Sequence, residues 1–221
     1  MSVLDVLITY HVAFLDGLRV TLELCAVIWP TGIVLGILLG VIAAGHPKIW
    51  GRFTRGMAFA LSAIPTLVVL FWLHYPAQAV FDMVINPFFT ASLTLSLVNV
   101  FGVGEMVRQA IADFPQQYLI AGRVCGLQRR DIVARIQLPI LFRTLLPGLM
   151  VQQVIMLHTT LFASLISVEE IFRVAQRINS SIYRPVEIYT ALGCFFLAVC
   201  LPINWFAAWL KKRYTRDLSE R

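Results

Sequence analysis

The residues best suited to chemistry in this chain are few and lie in unusual surroundings. His158, Thr159 and Thr160 are adjacent polar residues in the middle of Thr144–Val168, a stretch without Asp, Glu, Lys or Arg. A ring nitrogen and two hydroxyls are costly there unless they face protein or water. They therefore either pack against a partner subunit or bond a zwitterionic or neutral solute in a pathway. His74 stands near the end of a similar stretch, where an interfacial position is the simpler reading. Covalent chemistry is not expected. No nucleophile, base and orienting group are arranged for catalysis, no two carboxylates share an apolar stretch, and no His or Cys spacing fits a metal. Ser62, Ser92 and Ser96 read as helix-packing or backbone-bonding residues. A phosphate-gripping loop needs Gly-Lys-Ser or Gly-Lys-Thr, but the lysines are Lys48, Lys211 and Lys212, and none follows a glycine.

The elements that must position these residues are membrane spans. The 221 residues are 59% hydrophobic and 14% charged, well below the roughly one quarter charged of a soluble domain. Five apolar stretches, 24–45, 56–81, 83–104, 144–168 and 188–210, each reach the ~20 residues that a helix needs to cross ~30 Å of hydrocarbon. The expectation is a single all-α integral membrane domain over residues 1–221, with the segment 105–143 outside the membrane. Cys25, Cys194 and Cys200 fall inside apolar stretches and only Cys125 outside, so the four cysteines do not make a disulfide framework. The start of the chain, with Asp5 and Asp16, lacks the pattern of a removable signal peptide, and the first span is expected to serve as its own insertion signal.

Basic residues set the orientation. With five spans, one side holds Arg19, Arg173, Arg177 and Arg184, and the other holds the remaining fourteen of the eighteen. Basic residues are retained in the cytoplasm, which puts the amino terminus outside and the carboxyl terminus and the 105–143 segment inside. The net charge of +6 is thus a flanking charge around spans, and a nucleic-acid partner is not expected. Gly32, Gly36 and Gly40 recur every four residues, giving one helix face on which another helix can approach closely. Pro30, Pro65, Pro147 and Pro202 lie inside spans, where their missing donors must be compensated by neighbouring protein or water, as in a helix bundle.

The segment 105–143 reads as two short helices. Leu119, Ile120, Val124, Cys125 and Leu127 follow helical spacing, Pro115 suits a first turn, and Gly126 suits the left-handed residue that ends a helix. Helix resumes over 129–137, and Leu138-Pro139 is expected to break it. Such a pair serves either as a structured connector or, through an apolar and cationic face, as a dock for a cytoplasmic partner.

The order of residues here resembles the cytoplasmic signature of importer-type ABC permeases, written EAA, then G three residues on, then I-x-L-P. It runs Ala121-Gly122-Arg123-Val124-Cys125-Gly126-Leu127, then Ile136-Gln137-Leu138-Pro139. Glu105-Met106-Val107-Arg108 with Pro115, Ser180 to Tyr189, Leu201-Pro202 and Gly17 to Leu22 resemble the polar amino-acid uptake branch, so the likeness covers nearly the whole chain. It implies a type I importer permease fold with five transmembrane helices and a coupling helix that carries Ala121, Gly122, Arg123, Gly126 and Leu127 into a groove of a separate ATPase. It also implies a multi-pass protein of the bacterial inner membrane, translocating a polar amino acid or similar small solute. Its partners would be a second permease chain, two ABC ATPase subunits that bind ATP and Mg, an extracytoplasmic solute-binding protein and membrane lipid, with no cofactor held by this chain.

Two departures refine the picture. The signature glutamate is replaced by Ile120 and its second alanine by Gly122, so one charged docking contact is missing. A heterodimer with a partner whose signature is intact is favoured over a homodimer with a more apolar ATPase groove. In the fourth span His158-Thr159-Thr160-Leu161-Phe162 stands where such permeases often read Lys-Asp-Thr-Ser-Leu. Ser62-Ala63-Ile64-Pro65-Thr66 in the second keeps only the proline of Arg-Gly-Thr-Pro-Leu. His158, Thr159, Thr160 and Pro65 are therefore the candidate pathway residues, and the lost carboxylate argues against a cationic solute, since burying a cation needs a paired anion. A secondary transporter or channel subunit is the alternative, disfavoured because five spans are not two equal halves and no acidic residue lies within them.

Overall fold

The computed structural model describes residues 3–219, with side chains as far as Tyr214, and every described element is helical. A short α1 (Val3–Thr9) leads into α2 (His11–Gly45), a 35-residue helix that starts thirteen residues before the apolar stretch. Its extension is held by amphipathic packing: Phe14, Gly17 and Thr21 are buried on the same side as Leu24, Ile28, Gly32, Gly36 and Gly40.

The glycine face receives α6 (Pro87–Ala112). A methyl group on Gly36 would lie 2.6 Å from Val103 Cβ, and one on Gly40 would lie 2.6 Å from the Gly104 carbonyl oxygen. The two backbones thus approach as the four-residue spacing predicts. Asn86 accepts a hydrogen bond from the Phe88 amide and Pro87 occupies the first turn, which moves the start of α6 from residue 83 to 87. The helix continues past Gly104 to Ala112, so the first two turns of the 105–143 segment belong to it.

The second apolar stretch is not one straight helix. It forms α3 (Trp50–Ala63), α4 (Thr66–His74) and α5 (Pro76–Val80), with a 95° bend between Trp50–Ala63 and Thr66–Val80. Pro65 has no amide to donate and forces Ile64 into an extended conformation (φ −94°, ψ 128°), which stops α3. Among the described residues four helices are long and apolar enough to cross a membrane, or five with this bent pair counted as one.

Beyond α7 (Gln116–Val124) the chain is helical without a break through α8 (Arg129–Ile132), a π turn (Val133–Gln137) and α9 (Leu138–Thr159). Leu138-Pro139 therefore does not end the helix. The wider π turn just before Pro139 accommodates the residue that cannot donate, a usual way for a helix to absorb such a defect. A 3-10 segment (Thr160–Ile166) follows, ended by Ser167 in the left-handed region. Then come α10 (Ile171–Ile182) and α11 (Pro185–Ser219).

The core is built where these helices cross. Leu24, Ile28, Leu70, Leu95 and Met156 join α2, α4, α6 and α9, while Val6, Phe14, Val174, Ile178 and Ile188 seat α10 on α1, α2 and α11. Large apolar side chains such as Val34, Leu35, Leu38 and Leu93 face outward, an arrangement that suits lipid rather than water.

Candidate functional site: the α7 hairpin and the polar positions in the bundle

The α7 hairpin closes through its own backbone. The Gly126 amide donates to the Arg123 carbonyl (3.0 Å) and the Leu127 amide to the Gly122 carbonyl (3.1 Å), with Gly126 at φ 75°. This is a Schellman cap, and it requires a residue that tolerates the left-handed conformation. Gly122 faces inward. A methyl there would lie 3.0 Å from Ile132 and 3.2 Å from Ile136, so this small residue sets how closely α7 lies on the helix that returns to the membrane. The other candidates face away: Ala121 and Arg123 are exposed, beside Ile120 at 56% and Val124 at 82% exposure. Ile120, Ala121 and Val124 form an uncovered apolar stripe at helical spacing, while Arg123 and Leu127 border a cleft of about 490 Å³ against Arg129 and Ile132. Glu105 and Arg108 are joined by two 2.6 Å bonds within the last turns of α6.

The four pathway candidates are not gathered into one site. His158 is exposed, its Nε2 is 3.3 Å from Cys200 Sγ, and it opens onto a groove of about 550 Å³ with Phe196, Asn204 and Trp205. Thr160 is buried and its hydroxyl donates to the Leu157 carbonyl (2.7 Å); the Thr159 hydroxyl donates to the Met156 carbonyl (2.8 Å). Both hydroxyls are used by the helix itself as it tightens from α9 into the 3-10 segment. Pro65 sits exposed at the bend between α3 and α4.

Sequence reasoning missed two polar features. Asn99 on α6 donates to the Ile28 carbonyl (3.1 Å) and to Gln153 Oε1 (2.9 Å), linking α2, α6 and α9. Asn99 Oδ1 and Gln153 Nε2 are buried without a hydrogen-bond partner. An amide inside an uncharged stretch is a readable signal, since such groups seek protein partners in a bilayer. The second is Glu170, fully buried outside the spans, where its carboxylate accepts from the Phe172 (3.0 Å) and Arg173 (2.8 Å) amides and caps α10. Burial outweighs those two bonds and pushes its carboxyl up to about 7. Its neighbour Glu169 is exposed and pairs with Arg177 at 3.0 Å, so nothing in the sequence separates the two glutamates. Among the described residues no group of three or more His, Cys, Asp or Glu is arranged to hold a metal ion.

Residues 32–216 match the family described as binding-protein-dependent transport system inner membrane component. The match spans most of the chain, and the chain belongs to this family. It is 25% identical over 200 residues to the glutamine transport system permease protein GlnP of Escherichia coli, covering 90% of this chain and 91% of that protein. It is 27% identical over 232 residues to the octopine transport system permease protein OccM of Rhizobium meliloti, covering 95% and 93%. The histidine/lysine/arginine/ornithine permease HisQ of Escherichia coli is 25% identical over 215 residues, covering 91% and 92%. The fold is that of a crystal structure of an amino acid ABC transporter with histidines (TM-score 0.84, 21% identity, 96% of this chain and 99% of that one). It is shared with the MetNI methionine ABC transporter (TM-score 0.73, 16% identity, 93% and 98%).

Proposed function

We propose that this transmembrane subunit of an ABC importer translocates a neutral or zwitterionic polar amino acid, or a solute of similar size, delivered by an extracytoplasmic binding protein. As an inner-membrane component it performs no ATP hydrolysis; in this family that belongs to a separate subunit. Three relatives are permeases for glutamine, octopine and basic amino acids, which supports the solute class. Thr159 stands where permeases of this branch often carry an aspartate, which favours neutral over cationic members of that class. His158 is the proposed solute contact, Thr159 and Thr160 shape the helix turn that follows it, and Pro65 shapes the separate bend between α3 and α4.

The observation that carries the coupling reading is the uncovered stripe of Ile120, Ala121 and Val124 on a helix whose inner side is already packed through Gly122. On this reading α7 seats in a groove of an ATPase subunit that binds ATP and Mg, and Ala121, Arg123, Gly126 and Leu127 lie at or beside that contact. Apolar docking at Ile120 compensates for the missing signature glutamate on this side. A second permease chain completes the pore, and a heterodimer is favoured because a partner with an intact signature would keep one charged contact. The charge distribution supports an amino terminus outside and a carboxyl terminus in the cytoplasm. The test is reconstitution of the permease with candidate ATPase and binding protein in liposomes. ATP hydrolysis stimulated by binding protein loaded with a neutral polar amino acid, but not with arginine, supports the reading; stimulation by arginine alone overturns the solute class.

A further inference from the structure

One exposed face is used by neither the coupling nor the pathway reading. It lies on α1 and the start of α2, where Leu4, Ile8, Val12 and Leu15 are each more than half exposed. The Tyr10 amide donates to the Val6 carbonyl and the Phe14 amide to the Tyr10 carbonyl, both at 3.0 Å, so helical bonding carries across the joint between the two helices. Leu4, Ile8, Val12 and Leu15 therefore fall on one side at steps of four, four and three, opposite the buried Val6, Phe14 and Gly17.

We propose that this stripe is immersed in the membrane leaflet on the amino-terminal side, covered by phospholipid acyl chains, and that α2 crosses the bilayer at a steep tilt to place it there. The depth follows from packing. On the buried side of the same segment, Val6 and Phe14 form one cluster with Ile188 and Leu192, against which Phe195 and Phe196 pack. These four belong to the apolar stretch 188–210 of α11, bounded by Glu187 and Lys211 and about 34 Å long, the thickness of a hydrocarbon core. α1 thus lies beside the first turns of that span and not beyond it. Length agrees, because the 35 residues of α2 reach about 52 Å, and an over-long membrane helix tilts. The exposed face also continues down α2 through Leu22, Ala26 and Val34 to Val41, on the surface already turned to lipid. Arg19, which interrupts it, is paired with Glu23 at 2.9 Å on a side chain long enough to reach the headgroups, and the flanking Asp5, His11 and Asp16 suit the headgroup boundary. A protein is the poorer occupant. Close helix contacts in a membrane use small residues, and the small face of α2 at Gly32, Gly36 and Gly40 is already taken by α6.

The experiment is spin-label accessibility in the assembled transporter, reconstituted in liposomes of phosphatidylethanolamine and phosphatidylglycerol. With Cys125→Ser and Cys194→Ala removing the exposed thiols, a nitroxide is attached at Leu4→Cys, Ile8→Cys, Val12→Cys or Leu15→Cys. Leu38→Cys on the lipid-facing side of α2 and Ser180→Cys on the exposed side of α10 serve as lipid and water references. Molecular oxygen concentrates among acyl chains and a nickel chelate stays in water, so the ratio of their collision rates reports the medium around each label. At Ile8 and Val12 this ratio should exceed that at Ser180 severalfold and approach that at Leu38. A ratio at Ile8 or Val12 equal to that at Ser180 would put the stripe in water, free for a partner such as the binding protein, and overturn the proposal. Low collision rates with both reagents would overturn it as well, because the stripe would then be covered by the second permease chain.

Discussion

The side-chain amide of Asn99 occupies the space that a β-carbon on Gly32 would need. The glycine on α2 is therefore an opening through which α6 reaches the Ile28 carbonyl, in a part of the molecule where no water replaces a lost bond.

Gly32→Ala should displace Asn99 and break its bonds to Ile28 and Gln153, lowering stability by about 1 to 3 kcal/mol. Thermal unfolding of the purified protein in detergent measures this. Combining it with Asn99→Ala should restore part of the loss, because the clash disappears with the amide. Simple addition of the two losses would show the contact to be unimportant.

Gly126→Val should cost about 1 to 2 kcal/mol in the α7 hairpin because φ 75° is open to glycine and closed to a β-branched residue. Gly126→Asn should be milder, since asparagine tolerates that region. Gly122→Leu should force α7 away from Ile132 and Ile136. Co-purification with the ATPase and solute uptake should fall for the Val and Leu variants while membrane insertion is kept; full uptake by either variant contradicts the coupling role.

Glu170 makes stability depend on pH in a defined direction. Its carboxyl is raised from 4.5 to about 7, so between those values the folded protein binds a proton that the unfolded chain does not. The stabilisation is complete below pH 4.5 and is lost as pH rises through 7, by about 3 kcal/mol in total. Melting temperature followed from pH 5 to 8 should fall more for the wild type than for Glu170→Gln. Parallel curves would show that the carboxyl does not titrate there.

Thr160→Val should leave apparent solute affinity unchanged, because its buried hydroxyl serves the Leu157 carbonyl. His158→Leu should change affinity or selectivity, because its ring borders an open groove. Transport in proteoliposomes over a series of polar amino acids distinguishes the two, and equal behaviour of both variants rejects His158 as the solute contact.

Cys125 is exposed just after α7. In a variant with Cys194→Ala, a membrane-impermeant maleimide should label Cys125 in inside-out vesicles and not in intact cells. Bound ATPase should slow the labelling. Labelling from outside would reverse the proposed orientation.

Much of this architecture is visible in residue order because membrane burial is a one-dimensional constraint. Uncharged length marked the stretches that hold the long apolar helices, one of them as a bent pair, and the four-residue glycine spacing marked the α2 face that meets α6. Features set by contacts distant in sequence were less legible. The Asn99 link joins positions 28, 99 and 153, and the inward turn of Gly122 depends on Ile132 and Ile136. The break at Pro65 and the passage through Pro139 show the same residue type with opposite results. At Pro65 the preceding residue becomes extended, whereas a π turn carries the backbone into Pro139. Local sequence does not distinguish these outcomes, since neighbouring helices select between them.

The uninterrupted helix from Arg129 to Thr159 also fixes a mechanical ratio. Its 31 residues span about 46 Å, with the α7 hairpin at one end and His158 beside the other. Pivoting such a rod by roughly 5° about its base sweeps the far end through about 4 Å, the scale of a small solute's width. A modest displacement delivered at the hairpin is thus amplified by lever length alone, without any change in the helix's own hydrogen bonds.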